Sequence, residues 1–450
     1  MLNSILNFLT RRIKSTVSRN QIKVFSIKRL GINKKHLSRG AIDTIKKLQQ
    51  NNFNALVVGG AVRDLLVGVK PKDFDVVTNA KPEQIKKIFR RSRIIGKRFK
   101  LVHVYVGDET IEVSTFRSKN SSNVMFDDNG RITRDNSFGE RDEDANRRDL
   151  SINALYLDPF NDQVFDYHNG VNDIQSKIIR VIGSPAERYR EDPVRMLRVL
   201  RFSAKLNFSI EYETYINIKK YSNLINGIPK SRLFDEVVKL LLSGNAMKGM
   251  EELWATKLYL TAMPFLHDVF TSQYLNNSDF TVNNFLTLAL NLVDKRVKTS
   301  KTVSIGFILA CLFWHRLLKD WNVNRSRGLR EIPALLDAIN KIMDENFTSS
   351  PIQKRYLTDM KEIWILQPRF EKRRGKAPFR LIKNIKFRAA LNFLKLQADI
   401  KMVRPELVTW WDDFFTQKDD GRLTLINSLS HPSPKNSKAR RKKIAENRPI

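Results

Sequence analysis

The stretch from Val57 to Phe89, VVGGAVRDLLVGVKPKDFDVVTNAKPEQIKKIF, decides how the rest of the chain is read. It opens inside a short apolar run, Ala55 to Val58, that suits a buried strand. Gly59-Gly60 closes the run, and a helix is expected from Ala61 to Leu66. Glycine lets a backbone approach a ligand closely, and a helix N-terminus offers free N–H groups to phosphate. Arg63-Asp64 falls one turn into that helix, where Arg63 either meets a phosphate or salt-bridges its neighbour. Asp73 to Val77 then alternates polar and apolar residues as a strand does. Side chains two apart on a strand share a side, so Asp73 and Asp75 would converge with Phe74 anchored behind them. Paired carboxylates repel unless a cation lies between them, and Mg²⁺ suits carboxylates plus phosphates. A D-x-D pattern also occurs in ordinary turns and edge strands, so the pair alone leaves both readings open.

Outward from this stretch the pattern stays regular. Ile42, Ile45 and Leu48 mark one helix face, and Pro82 opens a helix to about Phe89. Leu101 to Val106 and Thr110 to Phe116 read as strands. Glu112, between Ile111 and Val113, faces away from them and either completes a metal site or meets solvent. Asn120 to Phe138 has no periodicity and is expected to be a mobile loop. Strands mixed with helices give an α/β or α+β domain over 39–173. Beyond it the pattern is helical, with Val194 to Leu206 and Leu233 to Leu242 in a segment 174–250 and further helices over 251–418. Residues 1–38 are expected to form a flexible basic arm, and 419–450 a disordered basic tail.

Charge points to a polyanionic partner. The 450 residues hold 80 Lys plus Arg against 47 Asp plus Glu, a net +33. Such a field attracts nucleic acid first and anionic membrane second. A single cysteine, Cys311, excludes a disulfide framework and a Cys-rich zinc site. The longest apolar run, Ile305 to Trp314, is too short to span a bilayer. No acidic residue precedes Asp43, which fits either an organellar transit peptide or a basic arm.

Two more segments carry chemistry. Arg147 and Arg148 can neutralise phosphate and Asn153 can bond a ribose hydroxyl, or the arginines can pair with Asp144 and Asp149 at the surface. Asp192 and Arg195, placed i and i+3 on one helix face, can meet both hydrogen-bonding groups of adenine's edge. Equally, Asp192 is a helix cap with Pro193 behind it. Arg198 and Arg201 continue that face.

The run from Val57 to Phe89 resembles the head of the class II nucleotidyltransferases, the bacterial poly(A) polymerases and CCA-adding enzymes. The resemblance implies an α+β fold, a polymerase-β-like head with a mixed sheet followed by an all-α neck, body and leg. It implies metal binding by Asp73 and Asp75, with two Mg²⁺ ions and Glu112 as third carboxylate. It further implies ATP triphosphate and sugar contacts by Gly59, Gly60, Arg63, Arg147, Arg148, Asp149 and Asn153, and nucleobase contacts by Asp192, Arg195 and Arg198. Leu150 stands where Phe is more usual, and Ala61 where a third Gly is common.

The segment from Ile94 to Val104 resembles the signature that separates bacterial poly(A) polymerases from tRNA nucleotidyltransferases. Around it, Gln84 to Gly107 holds eight Lys or Arg and no acid, so Lys97, Arg98 and Lys100 are expected to bind RNA phosphates. His103 is expected to be structural or to hydrogen-bond RNA. Arg201 and the run Lys372, Arg373 and Arg374 complete the expected RNA surface. Phe370, Phe379 and Phe387 are interleaved there, and core packing is expected for them. The resemblance covers roughly residues 25 to 415. It implies addition of AMP from ATP to single-stranded RNA 3′ ends, with a CCA-adding enzyme and a non-catalytic RNA-binding scaffold as alternatives. It also implies a cytoplasmic bacterial monomer that meets RNA-degradation machinery. Peripheral membrane association or organellar targeting through the basic N-terminus stays open.

Overall fold

A computed structural model describes residues 22–96, 100–118, 124–126, 132–135, 138–263, 266–267, 284–347 and 352–429. The chain divides into two units, Met1–Leu224 and Ile225–Ile450. The division falls inside the segment 174–250, so its first part belongs with the head and its second with the helical remainder.

The first unit is built on an eight-stranded mixed sheet in the order β1-β10-β9-β2-β3-β6-β5-β4. These strands are β1 (Lys23–Ser26), β2 (Ala55–Val58), β3 (Asp75–Thr78), β4 (Ser92–Ile95), β5 (Leu101–Val106), β6 (Glu109–Thr115), β9 (Leu155–Asp158) and β10 (Gln163–Asp166). All four residues of β2 are buried, as its unbroken apolar run requires of a central strand. β6 alternates instead, with Ile111, Val113 and Thr115 buried and Glu112 exposed. Helix α1 (Arg39–Gln50) starts where Ser38 Oγ accepts from Ala41 N, and it lays Ala41, Thr44, Ile45 and Leu48 on the sheet. Glu109 turns to that covered side and accepts from Ser38 Oγ at 2.5 Å and Gly40 N at 2.9 Å. The opposite face of β4, β5 and β6 carries the polar members of the alternation.

Three expectations are corrected here. The arm 1–38 is not flexible throughout: β1 pairs with β10, and Ile27, Ile32 and Leu37 are buried behind it. Residues 1–21 lie outside the described residues. The span from Asn120 to Phe138 is not structureless: β7 (Val124–Phe126) and β8 (Ile132–Asp135) pair antiparallel, too short and irregular for periodicity to reveal. The strand expected from Asp73 begins at Asp75, with Asp73 just ahead of it.

The second unit is helical among the described residues. Helix Ile305–Ser326 is buried all round from Gly306 to Trp314 and is held by a bond from Trp364 Nε1 to Ala310 O at 3.1 Å. No described helix is long and apolar enough to cross a membrane. A second core gathers Phe370, Phe387, Trp411 and Phe414. Phe370 meets Trp411 edge to face at 5.2 Å, while Trp411 Nε1 donates to Phe370 O at 2.8 Å. Phe379, partly buried, packs on Phe414 at 5.3 Å, so the three phenylalanines of the basic run all pack in or against this core. Lys372, Arg373 and Arg374 line an open cleft beside them. The tail 419–450 is corrected at its start, because Asp419–Ser428 is a helix that buries Ile426 in the same core. Residues 430–450 lie outside the described residues.

Candidate active site

The sheet register assembles the acids. Asp75, first residue of β3, stands opposite Val58 on one side and Glu112 on the other. Val58 leads directly into Gly59, so the glycine turn and Asp75 meet at one end of β2 and β3, beside Glu112 in the middle of β6. Phe74 is buried and fixes the segment, while Asp73 and Asp75 are exposed. Burial of its surroundings pushes the Asp75 carboxyl up to about 6, helped by the charges of Glu112 and Asp73 and opposed by Arg148. Among the described residues, no three His, Cys, Asp or Glu groups form a closed metal cage. The fit to a cation lies in the chemistry of the set: exposed carboxylates whose repulsion a divalent ion would relieve.

Gly59 has φ +72° and ψ −125°, a conformation that only glycine adopts easily, and helix α2 (Gly60–Leu66) begins at once behind it. Arg63 is buried. Its Nη1 donates to Asn153 Oδ1 at 2.6 Å, its Nη2 to Asp64 Oδ1 at 2.6 Å, and its guanidinium lies 5.0 Å from the Phe202 ring. The Arg63–Asp64 salt bridge, one of the two readings of this pair, is formed. The chain of bonds continues: Asn153 Nδ2 donates to Asp149 Oδ1 at 3.2 Å, and Arg198 Nε donates to Asp149 Oδ2 at 2.7 Å. Burial would raise the Asp149 carboxyl, but Arg198, Asn153 and the Leu150 N–H hold it below the usual carboxylate range.

Arg148 is held by Asp144 at 3.0 Å and Tyr156 at 3.1 Å, and its Nη1 reaches Asn153 O at 3.4 Å. Burial would lower its pKa, but Tyr156 and Asp144 keep it above the ordinary value. Arg147 donates to Ser118 O at 2.5 Å. Arg188, which the sequence did not single out, donates to the carbonyls of Arg147 and Arg148 at 2.8 and 2.6 Å and so fixes this whole turn.

The adenine-edge expectation is corrected in its geometry. The neck helix begins at Val194, so Asp192 precedes it rather than sharing its face with Arg195, and its carboxylate accepts from Val194 N at 3.3 Å. Pro193 sets that boundary, since the residue before proline is driven out of helical conformation. Arg195 is engaged by Glu191 at 2.8 Å. Arg201 lies over the Phe202 ring at 4.4 Å on the same helix. Lys97 and Arg98 lie outside the described residues, and Lys100 pairs with Glu83 at 3.1 Å. His103, left without a partner by sequence reasoning, is 3.3 Å from Glu112 through its Nε2. The signal was present in the alternation of both strands, but only the register brings them opposite.

Comparison with known proteins follows the same lines. Residues 55–180 match the family model "Poly A polymerase head domain", residues 207–270 "Probable RNA and SrmB- binding site of polymerase A", and residues 327–445 "Polymerase A arginine-rich C-terminus". Poly(A) polymerase I of Salmonella typhi is 38% identical over 97% of this chain and 95% of its own. A CCA-adding enzyme of Ligilactobacillus salivarius is 36% identical over 54% of this chain and 59% of its own. The crystal structure of the Bacillus stearothermophilus CCA-adding enzyme in complex with CTP shares the fold, with TM-score 0.55, 22% identity and 88% of each chain covered. With a mixed-sheet head and a match along nearly its whole length, this chain belongs to the poly(A) polymerase family of nucleotidyltransferases.

Proposed function

We propose that this chain is a template-independent polynucleotide adenylyltransferase, adding AMP from ATP to single-stranded RNA 3′ ends and releasing pyrophosphate. One observation carries the choice of product: the 38% identity to Poly(A) polymerase I runs over 97% of the chain, whereas the CCA-adding relative matches about half. Mg²⁺ on Asp73 and Asp75, with Glu112 beside them, would activate the RNA 3′-hydroxyl and neutralise the leaving pyrophosphate.

The chain's own groups do the positioning. The Gly59 turn brings the backbone at the start of α2 close to Arg148, and the triphosphate would bind there. The linked side chains of Arg63, Asn153, Asp149 and Arg198 hold Asn153 ready for the ribose. Arg147 and Arg148 supply positive charge near the phosphates. Asp192 and Arg195 read adenine from the start of the neck helix, Arg195 exchanging Glu191 for the base. Lys97, Arg98, Lys100, Arg201, Lys372, Arg373 and Arg374 contact RNA backbone. Catalysis is then positioning and charge neutralisation, with no covalent intermediate. A cytoplasmic monomer that serves RNA-degradation machinery is the setting that fits.

Incubating the protein with Mg²⁺, an RNA primer and each nucleotide separately tests this reading. Repeated AMP addition is the expected result. CTP incorporation followed by a single A would establish a CCA-adding enzyme, and no incorporation would leave a non-catalytic RNA-binding scaffold.

A further inference from the structure

Four side chains stand in file across the open face of the head sheet. Arg93 on β4 is opposite His103 on β5, His103 is opposite Glu112 on β6, and Glu112 is opposite Asp75 on β3. Directly opposed residues on neighbouring strands share a face, so all four point the same way. Burial agrees: Val102, Val104, Ile111 and Val113 on the other side are buried, while Arg93 and Glu112 are exposed and His103 is partly so. One pleat along β5, Tyr105 lies opposite Thr110 and is 37% exposed, an aromatic left open on a sheet face. Tyr105 N donates to Arg91 O at 3.0 Å, which fixes the ring beside the start of β4.

We propose that this face holds the last nucleotides of the RNA primer, with Arg93 on a phosphodiester and Tyr105 stacked on a base. The inference rests on the adenylyltransferase reading and deepens it. The reacting 3′-hydroxyl must lie at Asp75 and Glu112, so the strand that bears it has to leave along a neighbouring surface. Outward from Glu112, that surface offers a cation and an open aromatic ring. Three strand spacings, about 14 Å at ~4.8 Å each, separate Arg93 from Asp75 along the sheet. An extended arginine on one side and a nucleotide on the other cover such a gap. The segment from Gln84 to Gly107 carries eight basic residues and no acid, so its charge matches a phosphodiester chain. His103 acts here as a positioning residue: its Nε2 lies 3.3 Å from Glu112 Oε1 and restrains that carboxylate from the side opposite Asp75.

The experiment is steady-state extension of a hexaadenylate primer by the full chain, with ATP and primer varied in turn. Arg93→Ala and Tyr105→Ala should each raise KM for primer about tenfold, the scale of one stacking or phosphate contact, with KM for ATP within twofold. Tyr105→Phe should restore primer affinity, because stacking needs only the ring. His103→Leu should lower kcat at unchanged KM for both substrates, and His103→Gln, which keeps a donor, should recover most of it. Unchanged primer KM in Arg93→Ala and Tyr105→Ala would overturn the inference, as would a rise in ATP KM instead. Binding of fluorescent hexaadenylate to the same variants, read by anisotropy, decides the question even if the wild type adds no AMP. In that event the adenylyltransferase reading falls by itself.

Discussion

Arg148 Nη1 lies 3.2 Å from the point where a Cβ would sit on Gly59. Arg148 is itself tied to Asp144 and Tyr156, so it has little room to yield. Gly59→Ala therefore meets both an unfavourable positive φ and a fixed neighbour. It should cost about 1–3 kcal/mol of stability and lower kcat/KM for ATP more than tenfold. Thermal denaturation and extension assays on the same preparation check the two effects.

The raised Asp75 carboxyl carries a sign that can be worked out. An acid with a folded pKa near 6 and an ordinary value of 3.8 destabilises the fold when ionised. That penalty is full above about pH 6 and absent below about pH 4. Asp75→Asn should raise the melting temperature of the Mg²⁺-free protein at pH 8, with the gain shrinking toward pH 4. The same change should abolish AMP addition. A melting temperature that falls at pH 8 would count against the crowding of these acids.

Asp149 behaves oppositely. Its carboxyl is held low, so its contribution to stability is present above the ordinary carboxylate pKa and is lost as pH falls through the lowered value. Arg198→Ala removes the partner that holds it there. Stability should fall by about 1–3 kcal/mol at neutral pH, and acid-induced loss of stability should begin at higher pH. Denaturant titrations at several pH values measure both.

In the second unit, ring and charge separate cleanly. Phe370 is fully buried against Trp411, so Phe370→Ala should cost about 3–5 kcal/mol. Lys372 is exposed, so Lys372→Ala should leave stability alone. It should reduce the slope of RNA affinity against salt by about 0.7 if it contacts one phosphate. Fluorescence anisotropy over a salt series distinguishes the two variants.

Much of the head was legible because its chemistry is local. The buried run from Ala55 to Val58, the glycine turn and the spacing of Asp73 and Asp75 all lie within one stretch. What the sequence hid was pairing. Nothing in the residues 23–26 says that they complete a sheet with residues 163–166, since register is a long-range property. The bond between His103 and Glu112 was hidden for the same reason. The helix over 419–428 was masked by its polar composition; a few apolar contacts, chiefly Ile426, hold it to the core. At Asp192 spacing alone favoured the local cap over a ligand contact, and its carboxylate does accept from Val194 N.

The pairing of β1 with β10 has a bearing on how the protein matures. During synthesis the earliest strand of the sheet must wait for residues 163–166 to emerge before it has an edge to join. Until then the nascent palm lacks its outermost ribbon, and Val24, half exposed even when docked, stays open to wrong partners. Docking of this strand is thus a late step in assembling the head sheet on the ribosome.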